Sequence, residues 1–172
     1  MIKYLPQMTS VVLEEIPGKV SLAVDVSNCP MRCPGCHSPY LQTDEGEELT
    51  TDIIDELLAD NFGVNCFLFF GEGQDDASFL DLAWHIRDNY PMVEVALYSG
   101  RTEVPNTYWR VFHYIKVGPY VEKLGPLNHR TTNQRLYKVE GHKRIDITHL
   151  IWERGIDPNV NGSRKDSENR SS

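Results

Sequence analysis

Apolar positions along the chain fall into stretches of two kinds. Val20-Ser21-Leu22-Ala23-Val24-Asp25-Val26 and Val64-Asn65-Cys66-Phe67-Leu68-Phe69-Phe70 are short, dense apolar runs. Runs of that length, rich in β-branched or aromatic residues, predict buried strands, the first extending over Val20 to Ser27. Elsewhere the spacing changes. Ile53, Ile54, Leu57 and Leu58 form a stripe within Thr50 to Asp60, and Phe79, Leu82, Ala83 and Ile86 form another before Tyr90. Recurrence at i, i+3, i+4 and i+7 predicts helices, capped by Thr50 or Thr51 and by Asp75 or Asp76, the second stopped by Pro91. Further strands are predicted over Thr9 to Ile16, Val93 to Tyr98, Tyr114 to Val117 and Gln134 to Val139, with a short helix over Thr107 to Phe112. Pro17-Gly18-Lys19 is a turn signal that joins the first two strands into an N-terminal hairpin. Asp44 to Glu48 reads as an acidic surface loop.

A hairpin followed by repeated strand–helix units predicts an α/β fold with a parallel sheet and helical crossovers. The units are too few for an eight-fold barrel, which leaves a partial (β/α) barrel or an open sheet. At 172 residues the chain suits a small single domain, which we place at residues 1–158. Residues 159–172 are Asn, Ser, Gly and charge, without an apolar residue after Val160, and predict a disordered tail.

The formal net charge of −8 and pI near 5.2 argue against a general electrostatic grip on nucleic acid. No apolar run approaches the roughly 20 residues that span a bilayer. The N-terminus has no signal-peptide pattern. Together these predict a cytoplasmic protein with neither nucleic acid nor membrane as partner.

Three of the four cysteines lie within eight residues, in Cys29-Pro30-Met31-Arg32-Cys33-Pro34-Gly35-Cys36-His37. In a cytosolic chain such clustering reads as metal or redox chemistry, not as a disulfide framework. A straight strand cannot aim all three thiols at one point, because alternate residues face opposite sides. A loop can, and Pro30, Pro34 and Gly35 are loop formers. Soft thiolates suit an iron–sulfur cluster or zinc. A [4Fe–4S] cluster usually takes four cysteines, so three ligands leave one iron open to a reactant. The competing reading is structural zinc with His37 as fourth ligand, although the adjacency of Cys36 and His37 makes tetrahedral ligation by both awkward. Cys66 could serve as a remote fourth cluster ligand, but inside an apolar run it reads better as a buried thiol.

The C-x-x-x-C-x-x-C motif at the end of a strand resembles the radical S-adenosylmethionine (SAM) signature. Further segments narrow the likeness: Ser27-Asn28-Cys29-Pro30, Cys33-Pro34-Gly35-Cys36-His37-Ser38, Tyr98-Ser99-Gly100-Arg101, Tyr114-Ile115-Lys116-Val117-Gly118-Pro119-Tyr120 and Thr131-Thr132-Asn133-Gln134-Arg135-Leu136-Tyr137. These resemble the anaerobic ribonucleoside-triphosphate reductase activating proteins, over roughly residues 9 to 140. The resemblance implies a partial barrel of the radical SAM type and a [4Fe–4S] cluster on Cys29, Cys33 and Cys36. It implies reductive cleavage of SAM to methionine and a 5′-deoxyadenosyl radical, which takes hydrogen from a glycine Cα in the large reductase subunit. An electron donor such as flavodoxin or ferredoxin would feed the cluster. The alternatives are another small radical SAM enzyme or a non-catalytic Fe–S electron carrier.

The same resemblance assigns cofactor contacts. Gly35, Cys36 and His37 would help position SAM around the third cysteine. Gly71 and Glu72 in Phe70-Gly71-Glu72-Gly73 match a Gly-Gly-Glu-Pro-like turn that meets the SAM amino group, although Phe70 replaces the first Gly and Gly73 the Pro. Glycine admits close backbone approach, and a carboxylate accepts from an ammonium group. Ser99 and Gly100 would lie near the ribose or methionine part. Lys116 reads as a contact to a carboxylate, as a hold on the partner loop, or as a surface lysine; Asn133, Gln134 and Arg135 line the site or cap the sheet. Independently of any resemblance, the cysteines, Gly71-Glu72, Ser99-Gly100 and Lys116-Gly118 each follow a predicted strand. In parallel α/β folds those C-terminal edges converge on one face, where active sites form.

Overall fold

A computed structural model describes residues 1–31, 33–36 and 38–154. Its main element is a seven-stranded mixed sheet. The strands are β2 (Ser10–Val12), β3 (Ser21–Asp25), β5 (Cys66–Phe70), β6 (Glu94–Tyr98), β7 (Tyr114–Val117), β8 (Arg135–Glu140) and β9 (Lys143–Asp146), paired in that order. β3, β5, β6 and β7 are parallel; β2, β8 and β9 pair antiparallel at the flanks. The sheet is open, with β2 and β9 at its edges. A separate two-stranded ladder joins β1 (Lys3–Tyr4) to β4 (Glu47–Glu48).

Period-two alternation splits the parallel strands between two cores. Leu22, Val24, Phe67, Phe69, Val95, Leu97 and Ile115 face helices α1 (Thr51–Asp60), α2 (Asp76–Asn89) and α3 (Tyr108–Val111). Phe69 is the hub there, with ring centroids 4.9 Å from both Phe67 and Phe79. Ala23, Cys66, Leu68, Ala96, Tyr114 and Leu136 face the other side, where Ile151 of α4 (Thr148–Arg154) and Leu127 cover them. The caps act as the sequence predicts. Thr50 accepts from Ile53 N and Asp75 from Ser78 N, each satisfying a donor that the first helical turn leaves without a partner.

The α/β class and the N-terminal hairpin match expectation, and four differences have physical causes. The first strand is only Ser10–Val12. The acidic segment is not wholly loop, because Glu47 and Glu48 pair with Tyr4 and Lys3. The sheet is mixed, because β8 and β9 return as a hairpin. Finally, β9 and α4 were not anticipated: β9 is exposed along its whole length and carries no apolar period. The expected boundary at residue 158 and the tail 159–172 lie outside the described residues.

Candidate functional site

The four parallel strands end together, and backbone bonds keep them laced beyond their last residues. Val26 N donates to Phe70 O at 2.9 Å, Gly71 N to Tyr98 O at 3.0 Å, Ser99 N to Lys116 O at 2.8 Å and Gly118 N to Arg101 O at 2.6 Å. The cysteine loop leaves this edge through Asn28, whose φ of 63° turns the chain. Its neck is tied by Asn28 N to Thr43 O at 2.8 Å and Cys29 N to Leu41 O at 2.7 Å. Within the loop Cys36 N donates to Cys33 O at 3.0 Å across Pro34-Gly35. Pro followed by Gly at φ 72° is the signature of a type II turn, and it brings the second and third cysteines round on one another. Ser38 N donates to Cys36 Sγ at 3.4 Å.

A cavity of about 510 Å³ opens at this edge, and Cys29, Cys33, Cys36, Gly71, Gly100 and Lys116 all line it. The three loop cysteines are partly exposed, and none of the four cysteines forms a disulfide. The three cysteines therefore share one cavity lining with two of the expected glycines. The structure separates the others. Gly35 is outside the lining; a Cβ there would strike the Glu122 carboxylate. Glu72 and Ser99 are buried beside the cavity instead of lining it, Ser99 Oγ donating to Glu72 Oε1 at 3.0 Å. His37 lies outside the described residues. Among the described residues no three His, Cys, Asp or Glu side chains are gathered closely enough to hold one ion.

The electrostatics of the edge are unbalanced. Glu72 is 5 % exposed, and burial pushes its carboxyl up to about 7 despite Arg101 and the Ser99 hydroxyl. Its Oε2 is buried and has no hydrogen-bond partner among the described residues. Arg101 lies 3.8 Å from Glu72 Oε1 but is committed to Asp76 at 2.7 Å. Asp76 also accepts from Tyr108 OH at 2.6 Å, and these two donors hold it below the usual carboxylate range. Lys116 is buried, which lowers its ammonium to about 8 against the pull of Glu72 and the thiols. Its Nζ donates to Gly118 O at 3.2 Å. Burial also raises the Cys29 thiol and the Asp25 carboxyl, the latter accepting from Tyr40 OH at 3.2 Å.

Protein-family models, curated proteins and solved structures give no match to the chain.

The site itself offers three soft donors, a carboxylate oxygen awaiting a donor and a buried ammonium, grouped around one cavity edge. In chemical type that set suits a zwitterionic ligand and soft-metal ligation, although the thiols are not gathered closely enough to hold one ion. Sequence reading missed several parts of it. Phe70, expected in the core, is only partly buried, lines the cavity and meets the Tyr98 ring edge-on at 5.4 Å. Lys116, read as a site contact or as a surface lysine, is buried and lines the cavity. Of Asn133, Gln134 and Arg135, Gln134 is buried and lines the cavity, Asn133 is exposed and donates to Pro119 O, and Arg135 pairs with Asp146 at 3.7 Å. Asp25 and Tyr40 were not foreseen, although a lone carboxylate inside Leu-Ala-Val-Asp-Val was a usable signal.

Proposed function

We propose that the chain is a radical SAM activase that generates a glycyl radical on the large subunit of the anaerobic ribonucleoside-triphosphate reductase. The observation that carries this reading is the sharing of one cavity by Cys29, Cys33 and Cys36 at the edge where Glu72 keeps a buried oxygen unsatisfied among the described residues. Cys29, Cys33 and Cys36 would hold a [4Fe–4S] cluster. When bound, that cluster supplies the electron for reductive cleavage of SAM at a coordination position that three ligands leave open.

The chain's own residues then have defined tasks. Glu72 Oε2 accepts from the amino group of SAM, with Ser99 and Arg101 fixing the other oxygen. A cationic partner also favours the charged carboxylate that burial alone opposes. Lys116 opposes the SAM carboxylate. Gly71 and Gly100 keep side chains out of the cavity: a Cβ at Gly71 would sit 3.1 Å from Val26 O, and one at Gly100 3.0 Å from Met31 Cγ. On this reading the open sheet is a partial (β/α) barrel of the radical SAM type. The electron donor is a flavodoxin or ferredoxin, and the setting is the cytoplasm. Among the described residues no helix is long and apolar enough to cross a membrane.

Anaerobic reconstitution with iron and sulfide, followed by dithionite reduction, tests the reading. Expected are 5′-deoxyadenosine from added SAM and, on mixing with the large reductase subunit, a glycyl-radical electron paramagnetic resonance signal. Iron bound without SAM cleavage would leave an electron carrier. Cleavage without a radical on that subunit would point to another radical SAM enzyme.

A further inference from the structure

A second cavity, of about 380 Å³, lies at the opposite end of the parallel strands and shares no residue with the first. It is built from three separate elements. Arg87 comes from the last turn of α2, Trp109 and Arg110 from α3, and His142 and Arg144 from the β8–β9 hairpin; His113, just before β7, forms part of its wall. Among the described residues no carboxylate lines it. On a chain of net charge −8 that concentration of cations is against the grain of the composition.

The arginines are not consumed by ion pairs. Among the described residues none of Arg87, Arg110 and Arg144 has a carboxylate within salt-bridge distance. The nearest acidic influence on His113 is Glu94, and Glu94 is held by Lys19 at 2.6 Å. Two of the arginines are held in place by neutral partners. Arg87 Nη1 donates to Val111 O at 2.9 Å and approaches His113 Nε2 at 3.4 Å. Arg144 stacks over the Trp109 ring at 4.0 Å, and Trp109 is itself braced edge-on against Tyr137. A guanidinium fixed by stacking and by a carbonyl keeps several N–H donors for a ligand and loses little freedom on binding. Like charges clustered without counter-charges are mutually repulsive, and an oxyanion relieves that repulsion.

We propose that this cavity binds the phosphate or polyphosphate moiety of a small soluble ligand, with Arg87, Arg110 and Arg144 as its charge clamp. Phosphate matches the planar, bidentate donors of arginine. Enclosure by a helix end, a short helix and a hairpin favours a compact anion over an extended acidic chain. The Trp109 face is occupied by Arg144, so the recognised element is the charged group and not an aromatic ring.

Isothermal titration of the whole chain with sodium pyrophosphate and with tripolyphosphate tests this, with orthophosphate as a third arm and N-acetylated hexaglutamate as a fourth. We expect saturable one-to-one binding of tripolyphosphate with a dissociation constant below about 1 mM at low salt, weakening as sodium chloride rises. Arg110→Gln and Arg144→Gln should each weaken it by about tenfold, while Arg130→Gln, outside the cavity, leaves it unchanged. Because Arg144→Gln also removes the stacking on Trp109, the exposed Arg110 carries the decisive substitution. Circular dichroism verifies the fold of each variant. Absence of saturation at about 10 mM phosphate species, insensitivity to Arg110→Gln, or tighter binding of hexaglutamate than of any phosphate would each overturn the proposal. None of these outcomes depends on the iron–sulfur reading of the other edge.

Discussion

Cys66 and the Cys29–Cys36 loop stand at opposite ends of the same pair of strands. The β3–β5 ladder begins at Ser21↔Cys66 and finishes at Asp25↔Phe70, one residue before Gly71. At the beginning the thiol is sealed off, although the buried Ser21 Oγ paired alongside it finds no hydrogen-bond partner among the described residues. Cys66 is fully buried, with its thiol pushed up to about 12 by that burial, and Val20 N donates to Asn65 Oδ1 at 2.9 Å. At the finish the thiols are half open, a cavity intervenes, and Glu72 has a buried oxygen without a donor among the described residues. Leaving such an atom unsatisfied costs about 1–3 kcal/mol. The difference teaches that thiol chemistry here is decided by which end of the sheet a cysteine occupies. A sulfur at the N-terminal edge is packing; the same sulfur beyond the C-terminal edge is a candidate ligand.

The most drastic way to break that contrast is to remove the sulfurs. Alanine at Cys29, Cys33 or Cys36 is expected to reduce iron retention after anaerobic reconstitution, and 5′-deoxyadenosine formation, to background. Cys66→Ala should retain both and lose only packing, about 1 kcal/mol of stability. Iron analysis and chromatography of the nucleoside product decide it. Equal loss in Cys66→Ala and the loop variants would erase the distinction between the two ends.

Glu72 sharpens the same contrast through pH. Its folded value, near 7, lies above the ordinary 4.5, so the folded chain holds this proton more tightly than the unfolded chain does. Its contribution to stability is therefore fully present below about 4.5 and is lost as the pH rises through about 7. The loss amounts to about 1–3 kcal/mol. Glu72→Gln cannot ionise, so its unfolding free energy should fall less than that of the parent between pH 5 and pH 7.5, within about that range. The difference between the two slopes isolates Glu72 from Asp25, whose carboxyl is raised as well. In the reconstituted protein the same variant should keep its iron while needing more SAM for half-maximal cleavage. Parallel slopes would mean that Glu72 is not the buried proton holder.

Much of this was legible because it is local. Phe79, Leu82, Ala83 and Ile86 form a helical stripe in sequence and are all buried in α2. The run ending at Phe70 carries its strand in its own composition, and the cysteine spacing marks the loop. What stayed hidden depends on distant partners. Glu47 and Glu48 become strand only because Lys3 and Tyr4 lie alongside. Exposed Lys143–Asp146 is ordered by pairing to β8, not by any apolar period. Lys116 stays undecided in sequence between a site contact and a surface lysine until the strand ends converge over it and bury it. The same holds for the second cavity: Arg87, Arg110 and Arg144 are scattered across nearly sixty positions and meet only when α2, α3 and the hairpin pack.

The finest test of the comparison uses two glycines with nearly the same backbone. Gly71 has φ 97° at the functional edge, and Gly63 has φ 102° just before β5 at the opposite one. Each conformation disfavours an L side chain by about 1–3 kcal/mol, so conformation alone predicts equal damage from alanine. The surroundings differ. A Cβ at Gly63 meets nothing within 4 Å, whereas at Gly71 it comes 3.1 Å from Val26 O. That carbonyl cannot easily retreat, because Val26 N is bonded to Phe70 O at 2.9 Å and Gly71 N to Tyr98 O at 3.0 Å. Gly71→Ala should therefore lose about 1 kcal/mol more than Gly63→Ala in chemical denaturation, and it alone should impair SAM cleavage in the reconstituted protein. If the two substitutions proved equal in stability, the close backbone approach at the functional edge would carry no energetic weight, and Gly71 would be a turn residue like Gly63.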